Sequence, residues 1–212
     1  MANPGASFLP PGYVAAPRYV TYFDLYSDTS QNTSIFITGL PFDCTVSEVL
    51  SKIRGGKIWY ANLIPVNSSH NHSAAKITFW DRNGLMRFMY NVSQGRFYIR
   101  GVVPRVMMDK YVTYSHQPSN ESRVLHITGP NSVVSESMLN WYFREHSKYT
   151  VDYVWIIEKD EQNTSLEFAF CAYHQAQSAM QFFENSKTKE GSIGEIFRQV
   201  TVGWVQDPCS SE

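Results

Sequence analysis

The chain of 212 residues is expected to fold as two α+β units of βαββαβ order. Each would be a four-stranded antiparallel sheet with both helices on one face, the split βαβ arrangement. Three observations lead there. Ile37-Thr38-Gly39 returns as Ile127-Thr128-Gly129, and a Ser-Glu pair follows each (Ser47-Glu48, Ser135-Glu136). Such internal repetition marks a repeated structural unit. Within each copy, runs of strand periodicity alternate with runs of helical periodicity. The length also suits two domains of about 100 residues.

The elements of the first copy read in order. Ile35 to Leu40 is a strand. Thr45 and Glu48 form a T-x-x-E capping box that opens a helix, with Val46, Val49, Leu50 and Ile53 at helical spacing and Gly55-Gly56 as its stop. Ile58 to Ile64 is the second strand, and Ala75, Ile77 and Phe79 line the core side of the third. Leu85, Phe88, Met89 and Val92 form the stripe of a second helix ending near Gly95, and Val102 to Met108 closes the sheet.

The second copy repeats the plan. Leu125 to Pro130 is its first strand. Ser135 is a candidate N-cap, with Met138, Leu139, Tyr142 and Phe143 facing inward. Val151 to Ile157 is rich in β-branched and aromatic residues, as a strand should be. Leu166 to Tyr173 is the next strand; Ala176, Ala179, Met180 and Phe183 mark a helix; Val200, Val202 and Trp204 fit the last strand.

The expected organisation is a mobile segment over 1–32, units at 33–112 and 123–206, a linker at 113–122 and a tail at 207–212. The first segment begins rich in Pro, Gly and Ala, but Tyr19 to Tyr26, Y-V-T-Y-F-D-L-Y, is too apolar for a plain tail. It is a candidate for docking on a domain or holding a protein partner. The linker is polar and short, and is expected to limit the separation of the units without fixing their angle.

Net charge is −1, with no overall basic signature. The halves differ: 33–112 carries ten Lys/Arg against four Asp/Glu, and 122–206 carries seven against ten. Three widely spaced cysteines make no disulfide framework, and neither a signal peptide nor a membrane span is evident. A nuclear or cytoplasmic location without membrane association is therefore expected, the six N-x-S/T triplets reflecting Asn/Ser-rich loops. No phosphate-binding loop, nucleophile elbow or zinc-protease motif occurs. His70 and His72 lack two further ligands at useful spacing. Neither an enzyme nor a cofactor or metal site is expected.

Two segments carry a family resemblance. Leu166 to Tyr173, L-E-F-A-F-C-A-Y, resembles the octamer motif of the RNA recognition motif (RRM), departing at its first two positions. Leu125 to Pro130 resembles the accompanying hexamer; Ile35 to Leu40 resembles it more closely, with His72 to Phe79 as its octamer. The resemblance spans both copies and implies two ferredoxin-like RRM domains, the first with a degenerate octamer. It also implies single-stranded RNA as partner, bound by base stacking on an open sheet.

On that basis Phe168 and Phe170 are expected side by side on the exposed face, beside His126, as a stacking platform. The alternative is that the two rings pack against the linker, the tail or another protein. His126 is either a stacking group or a plain surface imidazole. Tyr153 and Trp155 are expected to share that face. In the first copy Phe36 keeps the hexamer aromatic, while Ala74 and Lys76 replace the octamer aromatics; Lys76 is a candidate phosphate contact, with Tyr60 and Asn62 alongside. This copy would assist or orient the second. The rival reading keeps the fold and makes the pair a protein-interaction module in an RNA-processing complex, through the first unit or Tyr19 to Tyr26.

Overall fold

Side-chain alternation and cap chemistry together fix the elements seen in this computed structural model, which describes residues 28–68, 71–146 and 148–211. Tyr19 to Tyr26 lies outside the described residues. In the first unit, β1 (Ser34–Leu40), β2 (Ile58–Ile64), β3 (Ser73–Phe79) and β4 (Arg105–Met108) form a sheet of order β2-β3-β1-β4, with α1 (Val46–Leu50) and α2 (Arg82–Ser93) between strands. The second unit repeats this with β5 (Val124–Pro130), β6 (Val151–Lys159), β7 (Asn163–Phe170) and β8 (Thr201–Trp204) in order β6-β7-β5-β8. Its helices are α3 (Glu136–His146), α4 (Tyr173–Lys187) and α5 (Gly191–Arg198). All strand pairings are antiparallel.

The expected capping box is present. The Thr45 hydroxyl accepts from Glu48 N at 3.2 Å, and the Glu48 carboxylate accepts from Thr45 N at 2.9 Å, satisfying two donors that a helix start leaves unpaired. The expected inward stripes also hold: Ile35, Ile37, Ala75, Ile77 and Phe79 are fully buried, with Leu85 and Phe88 of α2 above them. Gly56 and Gly84 let the turn before β2 touch the start of α2, since a Cβ on Gly56 would lie 2.5 Å from the Gly84 Cα. Helix α5 had no counterpart among the expected elements.

The linker does not swing freely, and the tail is not a tail. Thr33 N donates to Thr113 O at 2.8 Å, His116 N to Trp80 O at 2.9 Å, and Trp80 Nε1 to Gln117 O at 2.8 Å. His116 stacks on Trp59 with ring centroids 3.4 Å apart, and Lys57 Nζ sits 3.3 Å above the Trp80 ring. Beyond β8 the chain returns to the first unit. Gly56 N donates to Cys209 O at 3.0 Å, Gly55 N to Ser211 O at 2.9 Å, and Ile58 N to the Asp207 carboxylate at 2.8 Å. Asp207 also holds Arg123, whose guanidinium meets Asp152 at 2.6 Å. Burial disfavours the Arg123 charge, but Asp207, Cys209 and Asp152 outweigh it and raise its pKa well above the ordinary value. Cys171 and Cys209 pack into the first unit's core, and burial pushes both thiols up, Cys171 to about 12. Asn32 is buried too, its side chain bonded to Ser34 N, Thr113 N and Asp109 O, so the first unit begins before Thr33.

Candidate nucleic-acid interface

Phe168 and Phe170 face the helices, not solvent. Both are fully buried, and their rings lie 5.2 and 5.5 Å from that of Phe143 on α3. This overturns the expected stacking platform. The cause is one of parity. Leu125 pairs with Phe168 and His126 with Glu167, so the face that exposes His126 carries Glu167, and Phe168 lies beneath with Leu125. The strand ends at Phe170, and Tyr173 opens α4 instead of closing the strand. Aligned by register with Phe36–Lys76 of the first unit, the octamer-equivalent segment begins three residues earlier, at Asn163.

What the second sheet does expose is a different row. Trp155 pairs with Glu167, Glu167 with His126, and His126 with Gly203. Trp155 is 63% exposed, and a Cβ added to Gly203 would meet nothing within 4 Å, so the row ends on open backbone. Tyr153 shares the face but is half-buried, its hydroxyl donating to Glu167 at 3.0 Å; burial raises its pKa, and the Glu167 charge adds to that. His126 Nε2 lies 2.7 Å from Ser165 Oγ. By pairing, Ser165 puts Glu158 on this face as well. No lysine or arginine falls at an open-face strand position here.

The first sheet is the opposite. Asn62 pairs with Lys76, Lys76 with Phe36, and Phe36 with Met107, giving one row across the face that no described helix covers. Thr38 brings Arg105 to the same face. Lys76 Nζ is 2.7 Å from the buried Asp109 carboxylate and 5.7 Å from the ring centre of the exposed Tyr111. A groove of about 350 Å³ continues the row past Phe36, Thr38, Ile64, Pro65, His72 and Ala74. Tyr60 lies one row away, opposite Thr78, and is half-buried against the second unit, its ring stacked 6.5 Å from His174. The sequence-derived residues therefore divide between two sheets. Phe36, Lys76 and Asn62 come together on one, and His126, Trp155 and Tyr153 on the other. Arg105, Met107, Tyr111 and Glu167 were missed; the register of paired strands is the signal that finds the first two and Glu167.

Strand order, crossover helices and the one face of each sheet that the described residues leave uncovered decide the fold. The chain has a tandem RRM fold. No family model matches the sequence, and no curated protein matches it. Among solved structures, it is similar to the first two RRM domains of yeast poly(U) binding protein Pub1 (13% identity, 82% of this chain and 99% of that one, TM-score 0.31). It is also similar to RNA recognition domains 1 and 2 of Sex-lethal from Drosophila melanogaster (13% identity, 82% and 100%, TM-score 0.28). The N-terminal three RNA-binding domains of the yeast splicing factor Prp24 match at 14% identity (82% and 67%, TM-score 0.31). Strand registers, not these likenesses, place the residues of both units. Among the described residues no helix is long and apolar enough to cross a membrane.

Proposed function

We propose that the chain binds single-stranded RNA, with the open sheet of the first RRM as the principal surface. The observation that carries this is the adjacency of Phe36 and Lys76 on an uncovered face. A ring beside an ammonium can stack one base while the charge meets its phosphate, the pairing of chemistries that single strands require. Asn62 in the same row offers donor and acceptor groups to a base edge. Arg105 extends the positive charge, and the 33–112 stretch as a whole is at +6 (ten basic minus four acidic residues). Asp109 holds Lys76 in place, so the ammonium is oriented before a ligand arrives.

One stacked base contributes roughly 1–3 kcal/mol, so affinity is expected to be modest, about micromolar or weaker. The test is a titration of the full chain with a pool of random single-stranded RNA, alongside Phe36→Ala and Lys76→Ala. Wild type should bind. Phe36→Ala should weaken binding by roughly five- to a hundredfold. Lys76→Ala should flatten the dependence of log affinity on log salt by about 0.7. Wild-type binding that neither substitution alters, or no binding at all, rejects this surface.

A further inference from the structure

The second RRM's open sheet is built for the opposite charge. Its central row is Trp155–Glu167–His126–Gly203, and the neighbouring row adds Glu158 opposite Ser165. Arg123, just before β5, is 1% exposed and tied to Asp207 and Asp152, and Lys159 at the end of β6 pairs with Thr164, on the helix-side parity of Leu166. An RNA backbone laid on this face would meet two carboxylates and no lysine or arginine from the four strands. Phosphate is repelled there, and cations are drawn in.

We propose that this face docks an arginine-bearing basic segment of a partner protein. Charge complementarity selects the occupant: the 122–206 stretch is at −3 (seven basic minus ten acidic residues), and Glu158 and Glu167 of that stretch lie on this face. The geometry suits a guanidinium in particular. It is planar and weakly hydrated, stacks on indole rings and pairs with carboxylates through a rigid fork. Trp155, 63% exposed, supplies the ring; Glu167, its cross-strand neighbour, supplies the carboxylate. The Tyr153 hydroxyl bonds one Glu167 oxygen, Oε2, and fixes the carboxylate beside the indole. On the far side Gly203 leaves the floor flat, so a backbone can cross without a clash.

This inference does not depend on RNA binding by the first RRM. The test titrates the full chain with a capped peptide of alternating glycine and arginine, and with the same peptide carrying citrulline for arginine. Trp155→Ala and Glu167→Gln are compared after circular dichroism confirms their fold; Gln keeps an acceptor for Tyr153. The arginine peptide should bind wild type and shift the Trp155 indole N–H resonance. The citrulline peptide should not bind. Each substitution should weaken binding by about three- to tenfold. Three results overturn the proposal: no arginine-peptide binding at millimolar concentration, equal binding by wild type and both variants, or equal binding of the citrulline peptide. A fourth also does: a short single-stranded RNA whose affinity falls in Trp155→Ala while peptide affinity does not would assign the face to RNA.

Discussion

Arg123 and Asp207 form a buried, two-point ion pair, with Nε 3.0 Å from Oδ2 and Nη2 3.1 Å from Oδ1. Arg123 begins the second RRM, while Asp207 also accepts from Ile58 N of the first. One carboxylate thus clamps both units. Removing Asp207 leaves the buried Arg123 charge to Asp152, so the cost should fall below the figure of about 3–5 kcal/mol for stranding such a charge outright. Asp207→Asn should therefore lower the midpoint of chemical denaturation markedly. It should also separate the unfolding of the two units, followed by tryptophan fluorescence and amide exchange. A variant that unfolds like wild type would show that the clamp does not couple them.

Phe168→Ala and Phe170→Ala are expected to act as core deletions. Each ring fills space against Phe143 and the other ring, 4.8 Å away. Emptying either site should destabilise the second RRM by about 3–5 kcal/mol. RNA affinity per folded molecule should stay unchanged at a temperature where the variants remain folded. A selective loss of RNA affinity with wild-type stability would contradict the burial.

His116 makes packing sensitive to acid. Burial lowers its pKa, its ring is stacked on Trp59, and its Nε2 is buried without a hydrogen-bond partner among the described residues. In the unfolded chain it titrates near the ordinary value of about 6.5. The unfolded state therefore binds more protons just below that pH, and stability falls as pH drops through about 6.5 toward the depressed folded value. The melting temperature should decline over this range. His116→Phe, which keeps a stacked ring, should flatten that part of the profile.

Gly56 tolerates no side chain. A Cβ there would meet Gly84 Cα at 2.5 Å, Gly84 C at 2.7 Å and Phe79 Cδ1 at 2.8 Å. Two of the three are backbone atoms that cannot swing away. Gly56→Ala should destabilise the first RRM by about 1–3 kcal/mol in a denaturant titration. Gly95→Ala provides a contrast, because a Cβ there has open space and any loss comes from its φ of 70° alone.

Fold topology was legible because repeated Ile-Thr-Gly, capping and helical stripes all agree. The face of the β7 rings was not. Leu-Glu-Phe-Ala-Phe-Cys-Ala-Tyr alternates, and alternation says which residues share a face without saying which face is wet. The first copy held the answer: Ala75, Ile77 and Phe79 were assigned inward, and Leu166, Phe168 and Phe170 are their counterparts. The L-E-F-A-F-C-A-Y resemblance lies three residues out of step with that internal alignment. The docking of Asp207 and Cys209 had no local signal at all. A buried carboxylate is understood only through partners such as Ile58 N and Arg123, which lie far off in sequence.

Strand β2 and strand β6 occupy equivalent outer positions, but β2 is covered at mid-strand, where Ala61 N donates to Cys171 O at 2.7 Å and Tyr60 bridges Ala172, whereas β6 meets the first unit near its start, where Ser47 Oγ donates to Asp152 O. Strand β6 pairs with β7 alone among the described residues and carries Trp155, Ile156 and Ile157 in the open. An unprotected margin of that kind recruits further chains into fibrils. Its register shifts between Val151 and Tyr153, and between Ile156 and Glu158, put kinks in the template. Flanking acids at Glu158, Asp160 and Glu161 add mutual repulsion between like copies. Concentrated solutions should then stay clear at low ionic strength and turn turbid as added salt screens that repulsion.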